Sequence, residues 1–300
     1  MASTVIALTT ARRPDWLPPA VWPFEPVAGD VDGATIAVTD VGRGPALLFY
    51  TGIGSFVWRD VILRLSRDFR CITLDPPGIG LSAPARRSDT TLQRSARAVE
   101  AVICALHLES LTLVVHDTGG PPAFAAAART PERICGIVAV NSFGWRPSGA
   151  AFRGMLALMG SRLMRRIDVS TGVLPRLTAT AFGVGRHLDE ASRRAYHAGL
   201  RSSIGAFHDY LGDARRADML YDEIAAAFDG PLGRLPLLTI FGERNDPLAF
   251  QPKWRARFPR ARQVVVPKGN HFPMCDDPDL VAHEIRAWHH ELVDRGREGR

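Results

Sequence analysis

Asp117 stands where an apolar run turns into the start of a helix. Leu111, Leu113, Val114 and Val115 lead into His116-Asp117-Thr118-Gly119-Gly120, and Pro121-Pro122-Ala123 follows. A strand, a tight turn and a helix in that order form an elbow that lifts one side chain above the end of a sheet. The side chain presented here is a carboxylate, where such turns usually carry serine. An ionised carboxylate attacks an electrophilic carbon directly and forms an ester with it. The chemistry this predicts is the opening of alkyl electrophiles such as halides or epoxides, rather than the cleavage of esters.

Three further segments could complete a site around Asp117. Phe49-Tyr50-Thr51-Gly52-Ile53-Gly54 ends an apolar strand in a glycine-rich turn, and Trp58-Arg59-Asp60 opens a helix beyond it. Such a turn and the residue after the nucleophile each supply a backbone N–H, so the Ile53 and Thr118 amides are the expected oxyanion donors. Each such donor is worth about 3–4 kcal/mol in comparable sites. Phe241-Gly242-Glu243-Arg244-Asn245-Asp246-Pro247 follows a strand, where an acid that orients a histidine is expected. Asp246 is the favoured acid, with Glu243 and Asn245 close enough to blur the register. Gly269-Asn270-His271-Phe272-Pro273 follows the last strand. His271 would deprotonate the water that hydrolyses the Asp117 ester, and Asp246 would fix its tautomer. His116 is expected to point under the turn into a hydrogen bond.

These loops need a rigid frame. Strand signals lie at Thr35–Thr39, Ala46–Tyr50, Cys71–Leu74, Leu111–Val115 and Ile137–Val140, with helical stretches between them. Leu92, Ala96, Val99, Ile103 and Leu106 recur at steps of three and four, one face of a helix. Continuous apolar strands alternating with such helices predict a parallel sheet covered on both sides. The alternation stops near Trp145, and residues 146–230 read as helical. It resumes with Leu237–Phe241, Val264–Val266 and a helix around Val281, Ile285 and Trp288. The division expected is a first core part over 1–145, with an extended aromatic arm over 1–25, a lid over 146–230 and a second core part over 231–300. The lid's methionines and leucines, from Met155 to Met164, are expected to pack within it rather than to face a membrane.

With 300 residues and 46% apolar content, the chain can fill one large core with an inserted subdomain. Its net charge of +6 would suit an anionic partner, but Lys253 and Lys268 are the only lysines and the arginines are scattered among acids. Nucleic-acid binders concentrate charge in a stripe, so no nucleic-acid partner is expected. Cys71, Cys104, Cys135 and Cys275 show no metal or redox spacing. No signal peptide or membrane-length apolar run is visible, which predicts a cytoplasmic protein with no membrane partner.

Taken together, the elbow, Asp75-Pro76-Pro77-Gly78-Ile79-Gly80-Leu81-Ser82 and Gly269-Asn270-His271-Phe272-Pro273 resemble the aspartate-nucleophile branch of the α/β-hydrolase superfamily. That branch holds the haloalkane dehalogenases and epoxide hydrolases. The resemblance implies an α/β-hydrolase fold, a mostly parallel eight-stranded sheet with a helical lid inserted after the sixth strand. It implies a small apolar organic substrate and water, no metal or organic cofactor, and a monomer or homodimer. Asn141 occupies the place where one dehalogenase group keeps its acid, and is a candidate leaving-group contact. The family's tryptophan after the nucleophile and its asparagine in the oxyanion turn are replaced here by Thr118 and Ile53. Trp58 or a lid residue could compensate at a halide site. Epoxide hydrolases instead use lid tyrosines to protonate the opening oxygen, and Tyr196 and Tyr210 could serve, Tyr196 matching the family pattern better. The expectation is therefore an epoxide over a halide, with a dehalogenase of non-standard halide site and a ligand-binding homologue as alternatives.

Overall fold

A computed structural model describes residues 6–298 apart from Ala83; the first five residues of the arm and the last two of the chain lie outside the described residues. Nine strands form one sheet: β1 (Thr9–Thr10), β2 (Val27–Val31), β3 (Ala34–Val41), β4 (Ala46–Thr51), β5 (Arg70–Leu74), β6 (Leu111–His116), β7 (Ile134–Val140), β8 (Leu237–Gly242) and β9 (Arg262–Val266). Their spatial order is β1-β2-β3-β5-β4-β6-β7-β8-β9. The first three are antiparallel to their neighbours, and β4 through β9 run parallel to one another. The eight strands expected become nine because the arm adds the two-residue β1 along β2. Every residue of β6 and β8 is buried, as parallel strands covered on both faces require.

The helices are α1 (Arg59–Leu65), α2 (Leu92–Ala105), α3 (Gly120–Arg129), α4 (Ala150–Met159), α5 (Arg162–Thr171), α6 (Val173–Thr178), α7 (Glu190–Ala214), α8 (Asp218–Asp229), α9 (Phe250–Arg257), α10 (Pro273–Asp276) and α11 (Pro278–Glu298). Helices α1 and α11 pack together against the sheet, while α2, α3 and α8 form a second packed group. Trp254 of α9 joins that group through ring contacts with Phe124 and Phe228. Helices α4 to α8 follow β7 as an uninterrupted helical insertion. The arm is pinned by its aromatics: Trp22 meets Phe24 edge-on at 4.9 Å and stacks on Phe56. Arg13 donates to the carbonyls of Trp22 and Phe24.

The chain leaves β4 for β5 on one side and returns to β6 on the other. The carboxyl ends of β4 and β6 therefore flank a topological switch point, where open α/β sheets bind ligands. Register aligns those ends: Thr51 faces His116, and His116 faces Val140. The close approach depends on Gly119, whose missing Cβ would lie 2.5 Å from Thr51 Cα and 2.9 Å from Thr51 N. Both neighbours are backbone and cannot rotate away. We predict that Gly119→Ala costs about 1–3 kcal/mol in urea unfolding, as overpacking of a rigid core does, with no change in far-ultraviolet helix content.

Candidate active site

Asp117 takes the place the elbow requires. Its φ is 48°, in the left-handed region that costs a side-chain-bearing residue about 1–3 kcal/mol. The turn is held from outside: the Ser142 hydroxyl donates to the Asp117 carbonyl at 2.8 Å. Ser142 follows Asn141 at the end of β7, itself at a φ of 39°. Thr118 Oγ1 donates to Asp117 Oδ2 at 3.2 Å. Stripping water from the carboxyl works to raise its pKa. The facing imidazole of His271, the nearby His116 ring and the Thr118 amide outweigh this and hold it down at about 2. Asp117 is thus ionised over the whole ordinary pH range, as a direct nucleophile must be.

His271 Nε2 lies 3.8 Å from Asp117 Oδ2, and the two side chains keep 35% and 30% exposure. The far nitrogen, Nδ1, meets the side-chain oxygen of Asn245 at 3.0 Å. Asp246 is turned away. Its two carboxylate oxygens accept the amides of Phe250 and Gln251 at 2.6 and 2.9 Å, the first two N–H groups of α9. The expected acid therefore caps a helix, and an asparagine one residue earlier meets the imidazole. Turn geometry is the reason. Glu243 and Arg244 donate backbone bonds to Val266 and Gly269, and Asn245 to Gly242, which leaves the Asn245 side chain facing His271. Burial raises the Asp246 pKa, against the two amides and Lys253.

Asn141 also departs from its expected place beside a leaving group. Its Oδ1 accepts the Gly242 amide at 2.9 Å. Its Nδ2 lies 3.2–3.3 Å from the carbonyls of Asn245, Asn270 and His271 and from Asn245 Oδ1. These contacts decide the protons by elimination. The Gly242 N–H can only donate, so the Asn141 atom beside it is oxygen and the other is NH₂. That NH₂ donates to Asn245, so the Asn245 atom it meets is oxygen. His271 Nδ1 must then carry a proton, and Nε2 is the nitrogen that can accept one. Two amides, in place of an acid, set the tautomer. The hint in the sequence was the run Glu243-Arg244-Asn245-Asp246, in which three side chains compete for one position.

His116 does point under the turn. Its Nδ1 pairs with the Thr51 hydroxyl at 3.1 Å and its Nε2 donates to the His271 carbonyl at 2.9 Å. Trp58 lies on that same inner side, with its ring against Phe49 and His116, so it is not a halide donor over Asp117. Of the two candidate tyrosines, Tyr210 reaches the elbow: its hydroxyl donates to the Thr118 carbonyl at 2.7 Å. A Cβ on Gly52 would strike both Thr118 Oγ1 and the Tyr210 ring, so the turn after β4 needs glycine there. Tyr196 lies against Phe56 in a small chamber lined by Ile53, Trp16, Trp22 and Leu200. Its hydroxyl is buried there, with Thr178 the side chain facing it. Asp75 ties the turn after β4 to the Gly78–Ser82 loop by accepting the Ser55 and Leu81 amides at 2.6 and 2.7 Å. No group of side chains among the described residues could hold a metal ion.

The alpha/beta hydrolase fold family model matches residues 45–278. The chain belongs to the α/β-hydrolase fold family, and it is an α/β-hydrolase enzyme similar to haloalkane dehalogenases and epoxide hydrolases. Haloalkane dehalogenase 2 of Mycobacterium tuberculosis is 27% identical over 282 residues, 89% of this chain and 96% of that protein. A loop variant of a haloalkane dehalogenase from Bradyrhizobium elkanii superposes with a TM-score of 0.73 at 21% identity, covering 91% of this chain and 98% of that one. An epoxide hydrolase variant from Vigna radiata gives 0.74 at 19% identity, covering 89% and 99%.

The His116 contacts carry a pH consequence. Burial, and beyond it the like charge of His271, depress the His116 pKa to about 3, against 6.5 for a free histidine. Below about pH 6.5 the unfolded chain takes up a proton that the native state refuses, so stability falls with pH until about 3. Urea unfolding from pH 7 to 4 should show this loss, at about 1.4 kcal/mol per pH unit for one proton. A His116→Gln variant should show a slope shallower by that one proton.

Proposed function

We propose that the protein hydrolyses a small apolar epoxide through a covalent ester on Asp117. The carboxylate oxygen attacks a ring carbon, the ring C–O bond breaks, and the freed oxygen takes a proton from a phenol of the helical insertion, which here acts as a lid. Water then attacks the carboxyl carbon of the ester while giving a proton to His271 Nε2. The acyl C–O bond breaks, the leaving alkoxide takes the proton from His271, the diol departs, and the remaining proton of the new carboxyl returns through solvent to the phenolate. The Ile53 and Thr118 amides are assigned to the oxyanion formed at that carboxyl carbon.

The observation that carries this reading is the pairing of an ionised, strained Asp117 with a histidine whose accepting nitrogen faces it across 3.8 Å. Once the ester forms, the negative charge opposite Nε2 is gone and its lone pair is free for water. Epoxide is favoured by what surrounds the carboxylate. Trp58 faces the core, and Ile53 and Thr118 bring no side-chain N–H. A departing halide would meet little stabilisation there. Tyr210 supplies a phenol at the elbow, its hydroxyl resting on the Thr118 carbonyl from which it can turn to an opening oxygen. The whole-length similarity to a dehalogenase favours the alkyl halide as the second reading.

Two experiments separate these readings. A His271→Ala variant, incubated with short 1,2-epoxyalkanes and separately with 1-haloalkanes, should keep the ester on the Asp117 peptide. Mass spectrometry should find a hydroxyalkyl adduct from the epoxide. An alkyl adduct from the haloalkane alone would shift the assignment to dehalogenation, and absence of both would sink the mechanism. Asn245→Ala, which frees the His271 ring, should slow ester release by about a hundredfold or more in single-turnover kinetics, with ester formation nearly unchanged. Asn245→Asp should retain or raise the release rate, because it keeps the acceptor and adds a charge for the imidazolium.

A further inference from the structure

The helical insertion leaves an outer face uncovered. Helices α4, α5 and α6 all pack inward on α7, burying Phe152 and Leu156 of α4, Asp168 of α5 and Pro175 of α6. The opposite side of each helix carries large apolar residues in the open: Met155 and Leu158, then Leu163 and Ile167, then Val173 and Leu177. Leu163 is 67% exposed and Phe182, just beyond α6, is 79% exposed. The expectation that these side chains pack within the insertion is thus overturned for Met155, Leu158 and Leu163. Six large apolar side chains left in the open on three successive helices point to an interaction surface.

Charge identifies what would cover it. Residues 150–182 contain five arginines and a single acid, Asp168. Asp168 is buried against His208, so it offers no charge to the outer face. Arg165 pairs with Asp209 of α7. The other four, Arg153, Arg162, Arg166 and Arg176, are exposed, with no side-chain hydrogen bond or ion pair among the described residues. On α5, Arg162 and Arg166 stand one turn apart beside Leu163 and Ile167, so guanidinium groups and aliphatic chains alternate on one surface. Unpaired cations around exposed aliphatic side chains match a bilayer interface, where apolar groups enter the acyl boundary and arginines meet anionic headgroups. A second copy fits less well, because a two-fold pairing would set these arginines against one another with no exposed acid between them.

We propose that the outer face of α4–α6 docks peripherally on an anionic lipid bilayer. No helix among the described residues is long and apolar enough to cross a membrane, so the contact is with the surface. The face ends beside the His271 loop, where Asn270 Nδ2 donates to the Ala181 carbonyl next to Phe182. The proposal does not depend on the chemistry at Asp117, and its readout is binding.

Flotation of the full chain with vesicles tests it. The protein should rise with vesicles of equal parts phosphatidylcholine and phosphatidylglycerol, and stay behind with phosphatidylcholine alone. Added salt should weaken the association. Leu163→Asp with Ile167→Asp, and separately Arg162→Glu with Arg166→Glu, should each reduce binding about tenfold or more. These exposed positions lie outside the Asp117 site, so a circular dichroism spectrum like the parent's is expected. Failure to float on either vesicle, or undiminished binding by both variants, would overturn the proposal. So would a dimer in sedimentation velocity that the Leu163/Ile167 variant abolishes, since that result gives the face to a second copy.

Discussion

The structure turns on one strained residue at the end of one buried strand. Asp117 sits in the left-handed region because β6 must stop and α3 must begin within a few residues, and only that conformation lifts its carboxylate clear of the sheet. The strain is tolerated because the neighbours leave no easier arrangement. Gly119 lies against the backbone of Thr51, and Ser142 holds the Asp117 carbonyl. His116 joins the ends of β4 and the His271 loop from below. Each of these contacts crosses from one strand end to another, so the geometry of the site is a property of the sheet's register.

The same register explains how the histidine is oriented without a carboxylate. An aspartate behind an imidazole both fixes its tautomer and stabilises its positive form. Here Asn141 and Asn245 perform the first task through a chain of donors that begins at the Gly242 amide. The second task is left to the negative charge of Asp117 itself while it is free. A site of this composition therefore keeps the His271 ring aimed at Asp117, with less stabilisation of its imidazolium form.

Legibility in the sequence followed the range of the interactions involved. The elbow was readable because its signals are local: an apolar strand, two glycines and two prolines around one aspartate. The parallel core was readable from continuous apolar runs, since such strands are buried on both faces. The role of His116 was also anticipated, because a polar residue one before an exposed turn residue points to the opposite side of the strand. The orienting residue was not readable. Glu243, Asn245 and Asp246 lie within four positions, and one residue of turn register decides which of them meets a ring 26 residues away. Two-residue β1 was invisible for a related reason, as it exists only by pairing with β2.

By itself the sequence determined the elbow with its exposed aspartate, the family frame and the absence of indole or amide side chains at the two positions after the strands, because those depend on residue type and local order. The tertiary structure alone decided that Asp246 caps α9 while Asn245 meets His271, and that Tyr210 reaches the elbow. It also decided which side chains of α4–α6 stay in the open. Each of those outcomes depends on how distant segments pack, and helical periodicity gives an apolar stripe without saying whether another element covers it.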